Sequence, residues 1–128
     1  MEGKNYGLHG HTFNVSIELY GLPVKDSYTI VDITHLRSRV VSIVNDLDHK
    51  VILGEEQKKL GKYLEDKGVE VFYIPYPQAS MEALSEYIAL KLWEIVRDWE
   101  NVDGIKVCVS QGSFEWACFE KRSNPSEE

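Results

Sequence analysis

Three things are scarce in this sequence. It has no long apolar run, only two cysteines, and only four histidines among 128 residues. Without an apolar run of some twenty residues, a membrane-spanning helix within it is excluded, and no signal peptide is expected ahead of the first strand. Cys108 and Cys118 form neither a CxxC motif nor a disulfide framework, so a reducing cytoplasm is the default and both are read as small structural thiols. Basic charge is also thin. Fourteen Lys and Arg face 21 Asp and Glu, for a net charge of −7, which argues against general nucleic-acid binding. A small anionic ligand stays possible, since a few lysines around a pocket act locally.

What is present suits a globular domain with a real core: 43% hydrophobic and 27% charged residues. The pattern predicts a strand over His11–Tyr20, with Phe13, Val15, Ile17 and Leu19 on one face. A helix follows, capped by Asp32 or Thr34, with Leu36, Val40, Ile43, Val44 and Leu47 at helical spacing, and it ends in "DLDHK". "GEEQKKLGKYLEDKG" favours a shorter helix stopped by Gly68, and "VEVFYIPYP" a short strand or extended link. Ser80 is a good N-cap for a helix running through Met81, Leu84, Ile88, Leu92, Ile95 and Trp99, with Glu82 suited to the helix dipole. "IKVCVSQ" and "FEWACFEKR" read as two strands of a hairpin. Strands at both ends with helices between indicate an α+β fold, the helices packed on one face of an antiparallel sheet. A single domain is expected over residues 1–121, followed by a polar tail, 122–128.

The chemistry-bearing residues are few. His9 and His11 in "LHGH" share one side of an extended strand, so their imidazoles can converge on one point, as zinc ligands do. Two ligands do not make a site, and a water-satisfied strand end competes evenly. In "DLDHK", Asp48 beside His49 can orient an imidazole for proton transfer. On local grounds alone, a helix C-terminus using His and Lys to complement its dipole accounts for the same residues. His35 stands off the apolar stripe and is read as a solvated surface residue.

Together these segments resemble the 6-pyruvoyl-tetrahydropterin synthase and 6-carboxytetrahydropterin synthase family. "LHGHTFNVSIEL" is similar to its metal-binding strand, "IVDITHL" to its helix entry and "VNDLDHKVI" to its catalytic Asp-His segment. "ASMEALSEYI" is similar to its pterin-contacting helix start, and "VCVSQGSFEWACF" to its terminal hairpin. The resemblance runs from about Glu2 to Phe119. It implies the tunnelling fold, in which subunits join into an oligomeric barrel, a trimer or hexamer, with active sites between them. It implies zinc held by three histidines, two matched by His9 and His11. It also implies proton transfer by Asp48 and His49, and pterin contacts at Ser80, Glu82 and Gln111. The expected activity is that of a cytoplasmic lyase of pterin or deazapurine (queuosine) biosynthesis, acting on 7,8-dihydroneopterin triphosphate or a close relative.

Three departures accompany the resemblance. The family's first zinc ligand lies on a preceding strand, whereas the eight residues before His9 contain no histidine; a start placed inside a longer reading frame is expected. Asn5 stands where members that make the pyruvoyl or carboxy product often carry a catalytic Cys, and an amide has no thiolate to offer. Gln111 stands where the family usually has a Glu clamping the amino-pyrimidine edge. The alternative is therefore a pterin-binding paralogue with impaired catalysis, and a third reading is an oligomeric scaffold. Residues 55–74 look like an insertion relative to the shortest relatives.

Overall fold

The computed structural model describes residues 13–23, 33–99, 101–111 and 115–123. Strand β1 spans Phe13–Gly21, helix α1 Ile33–Leu47 and strand β2 Val51–Leu53. A 3-10 turn at Glu55–Gln57 leads into helix α2, Lys58–Asp66. Strand β3 is Val71–Tyr73, helix α3 Met81–Val96, and strands β4 and β5 are Val102–Gln111 and Glu115–Arg122.

The main sheet has the order β1-β4-β5 and is antiparallel throughout. Central β4 pairs with β1 from Phe13 opposite Gln111 to Gly21 opposite Val102, with an irregularity between Tyr20 and Gly21. It pairs with β5 from Gly104 opposite Arg122 to Gln111 opposite Glu115. Period-two alternation then decides which side is covered. Ile105, Val107 and Val109 are fully buried because they point toward α3, which lies across β4 and β5. Val15, Ile17, Leu19 and Phe119 join them from the flanking strands.

Helix α3 begins where its cap dictates. Ser80 is extended, with φ −81° and ψ 167°, and its Oγ accepts a hydrogen bond from the Ala83 N–H at 3.0 Å. Its buried stripe of Leu84, Ile88, Ala89 and Leu92 rests on the sheet, and α1 packs against α3 through a face that includes Val40, Ile43 and Leu47. Trimming Leu92, which is fully buried, to alanine would cost about 2–5 kcal/mol.

The expected α+β architecture is present, with local differences. Thr34 lies inside α1, so it is not the cap, and Asp32 falls outside the described residues. Strand β2 was not anticipated; it pairs in parallel with β3, Val51 opposite Val71, around the α2 crossover. Helix α3 stops at Val96 rather than at Trp99. The reading of Cys108 and Cys118 as free thiols is corrected: the register of β4 and β5 places them directly opposite one another and their sulfurs are bonded. His35 is exposed, but its ring packs at 5.1 Å from that of Trp99. No described helix is long and apolar enough to cross a membrane.

Candidate active site

The C-terminus of α1 differs from that of α2. Helix α2 closes in a Schellman motif: the N–H of Gly68 donates to the Glu65 carbonyl, that of Val69 donates to the Leu64 carbonyl, and Gly68 has φ 87°. At the equivalent position after α1 stands His49, with φ 61°, the one non-glycine residue of positive φ among the described residues. The α1 ladder runs on through the Asp48 N–H, which donates to the Val44 carbonyl at 2.9 Å. The left-handed turn at His49 then redirects the chain into β2. A side chain with a Cβ pays about 1–2 kcal/mol for that conformation, which glycine escapes.

The turn places the His49 ring beside its neighbour. Asp48 Oδ2 lies 3.1 Å from His49 Nδ1, with both side chains well exposed. With Nδ1–H donating to the carboxylate, Nε2 is left to take and return a proton.

These residues stand at the edge of a cleft of about 1060 Å³. One wall is the end of α1 with Asp48, His49, Lys50 and β2. The start of α3 lines it as well, with Ser80, Met81, Leu84 and Ile88. The sheet closes the cleft with Phe13 and Val15 from β1, Gln111 from the end of β4 and Glu115 from the start of β5. The walls are thus largely apolar, with polar groups converging on them, the usual make-up of a small-molecule site.

Four of the sequence-predicted residues meet here: Asp48, His49, Ser80 and Gln111. Ser80 has two tasks open to it, because an Oγ that accepts from Ala83 N–H still has its own hydrogen to donate. Glu82 is exposed in the first turn of α3 and is not among the cleft-lining residues. His9, His11 and Asn5 lie outside the described residues. Among the described residues, no group of three or more His, Cys, Asp and Glu comes together to hold a metal ion.

The structure adds residues that the motifs did not single out. Lys50 lines the cleft, its ammonium 5.7 Å from the Phe72 ring centroid. Glu115 faces Gln111 across the hairpin. Charge beside a histidine was a signal available for Lys50; nothing local marked Glu115, whose place depends on strand register.

The chain is similar to known proteins in both sequence and fold. A family model described as 6-pyruvoyl tetrahydropterin synthase matches residues 1–122. A Pyrococcus abyssi protein is 33% identical over 126 residues, covering 91% of this chain and 76% of its own length. A Methanocaldococcus jannaschii protein is 26% identical over 130 residues, covering 89% and 80%. Both are described as "Putative 6-carboxy-5,6,7,8-tetrahydropterin synthase". Among solved structures, Plasmodium vivax 6-pyruvoyltetrahydropterin synthase superposes with a TM-score of 0.73 at 22% identity, over 91% of this chain and 82% of that one. The family model's match over almost the whole sequence, with the relative at 33% identity and the shared fold, leads to one assignment: this chain belongs to the 6-pyruvoyl tetrahydropterin synthase family.

Proposed function

We propose that the protein is a carbon–oxygen lyase acting on 7,8-dihydroneopterin triphosphate or a close relative, of the 6-pyruvoyl- or 6-carboxy-tetrahydropterin synthase type. The observation that carries this reading is the cleft in which Asp48–His49, Ser80 and Gln111, distant in sequence, line one apolar space. In the reaction, His49 Nε2 moves a proton on the substrate side chain while Asp48 holds the ring in the required tautomer. The apolar walls take the flat face of the pterin, Ser80 and Gln111 hydrogen-bond its edges, and Lys50 supplies positive charge toward an anionic substrate. Zinc bound by His9 and His11 belongs to this reading through the family resemblance, as do a homo-oligomeric barrel with intersubunit sites and a cytoplasmic location.

A second reading is a pterin-binding paralogue without turnover. It is favoured by an amide, Gln111, at the cleft where the family resemblance leads one to expect a carboxylate. One experiment separates the two. Zinc-supplemented protein is incubated with 7,8-dihydroneopterin triphosphate, and the products are identified by mass spectrometry alongside a binding titration. A pyruvoyl, carboxy or hydroxymethyl pterin supports the lyase. Saturable binding with unchanged substrate supports the paralogue, and neither product nor binding overturns both.

A further inference from the structure

We propose that Glu115 is the residue that reads the amino-pyrimidine edge of the ligand, supplying from β5 the carboxylate that β4 lacks at Gln111. This inference rests on the pterin reading of the cleft and adds a recognition residue to it.

The argument starts from register. Gln111 is the last residue of β4 and Glu115 the first of β5, and the two are directly paired. Residues directly opposite in an antiparallel pair carry their Cβ atoms about 4.5–5.5 Å apart on the same face of the sheet. That face is the one covered by α3, since Val109 and Ala117, two residues inward on each strand, are both buried beneath it. Gln111 and Glu115 therefore stand side by side where the sheet passes beyond the helix, and both line the cleft. No ion pair with a described residue occupies the Glu115 carboxylate.

The chemistry of the pair determines what it can bind. A carboxylate has two acceptor oxygens and no donor, so it matches a ring edge that presents two adjacent N–H groups, such as the N–H and exocyclic NH2 of a 2-amino-4-oxo pyrimidine. Gln111 offers one donor and one acceptor, which complements a neighbouring C=O and N–H but not two donors. With Phe13 and Val15 providing apolar surface beside them, the two side chains divide the edge. Glu115 takes the donors, and Gln111 takes the mixed part. Asp48, the other carboxylate lining the cleft among the described residues, is engaged with His49.

The test uses two probes that differ at one group: neopterin, which has the 2-amino group, and 6-(1,2,3-trihydroxypropyl)lumazine (below, lumazine), which carries the same side chain and has a carbonyl in place of that amino group. Binding of each is followed by fluorescence titration on the full-length chain, its Glu115→Gln and Glu115→Asp variants, and Gln111→Ala. The unmutated protein should prefer neopterin, and Glu115→Gln should weaken neopterin roughly tenfold or more, the scale of one charge-assisted hydrogen bond, with little effect on lumazine. Glu115→Asp should retain part of the preference. Gln111→Ala should weaken both probes while keeping the preference. Neopterin binding and preference unchanged in Glu115→Gln would overturn the inference and leave the pterin reading intact. Failure of the unmutated protein to bind either probe would overturn the pterin reading, and this inference with it. Because Glu115 is exposed at a strand end, its variants should fold, and matching unfolding midpoints check that they do.

Discussion

The Asp48 carboxylate sits 3.1 Å from Nδ1 of His49, and His49 reaches that position only with a left-handed backbone, φ 61°. The same turn that ends α1 delivers the imidazole to the cleft. Backbone strain at a non-glycine residue is tolerated where the surrounding structure imposes it, and it often coincides with function.

The first prediction separates strain from chemistry. His49→Gly should raise the free energy of unfolding by about 1 kcal/mol, because glycine takes this conformation without a Cβ clash. The same substitution should lower turnover on the order of 100-fold or more through loss of the proton carrier. Denaturant unfolding and product formation are measured on the same sample. A less stable glycine variant would show that the turn is not strained, and unchanged turnover would remove His49 from the reaction.

Ser80 allows a similar separation. Its Oγ caps α3 by accepting from Ala83 N–H, so Ser80→Ala should cost about 0.5–2 kcal/mol of stability. Ser80→Asp should keep the cap, since a carboxylate accepts the same N–H, but it has no hydroxyl hydrogen to give a ligand. The aspartate variant is expected to unfold like the unmutated protein and to bind neopterin more weakly. Equal neopterin binding in serine and aspartate forms would confine Ser80 to capping.

Gly54 has a purely steric role. A Cβ built there would collide with the backbone carbonyl of Pro77, and the Gly54 N–H donates to Gln57 Oε1 at 2.8 Å. Pro77 cannot yield as a side chain would, because Glu56 N–H donates to its carbonyl at 3.0 Å. Gly54→Ala should therefore cost about 1–3 kcal/mol, read as a lowered unfolding midpoint. An unshifted midpoint would mean the two segments separate freely.

The core makes a pH prediction through Tyr87, which is buried and meets Phe72 edge-on at 6.0 Å. Burial, then the carboxylates of Asp46 and Glu94, raises its phenol above the ordinary value. The folded state then keeps the proton at pH values where the unfolded chain loses it. That contribution to stability is complete below about pH 10, where free tyrosine titrates, and is lost as pH rises through the folded-state value. Unfolding midpoints should fall as pH rises above about 10, and Tyr87→Phe should flatten part of that fall. Tyr76, raised first by burial and then by Glu86, accounts for some of the remainder. Parallel curves for the two proteins would contradict a buried, protonated Tyr87.

Much of the site was legible because its parts are local. Ser80 with Glu82 two residues on is a helix start on any reading, and "DLDHK" closes a helix whose apolar stripe is plain. The misses in the sheets share one cause. Val51–Leu53 was missed as a strand because three residues carry no period of their own, and their parallel partner at Val71–Tyr73 lies beyond an intervening helix. The bond between Cys108 and Cys118 and the pairing of Gln111 with Glu115 both follow from the β4–β5 register, which the strand residues do not state on their own. A shift of one residue would send Glu115 to the opposite face of the sheet.

By itself, the order of residues determined the presence of the helices, the Ser80 cap, the apolar faces and the Asp-His pair, because each depends on neighbours within a few positions along the chain. The tertiary structure alone decided that Asp48, His49, Ser80, Gln111 and Glu115 line one cleft. That outcome depends on how far β4 slides against β5 and where α3 lies on the sheet, and those are settled by the packing of Ile88, Leu92, Val107 and Val109, not by any one segment.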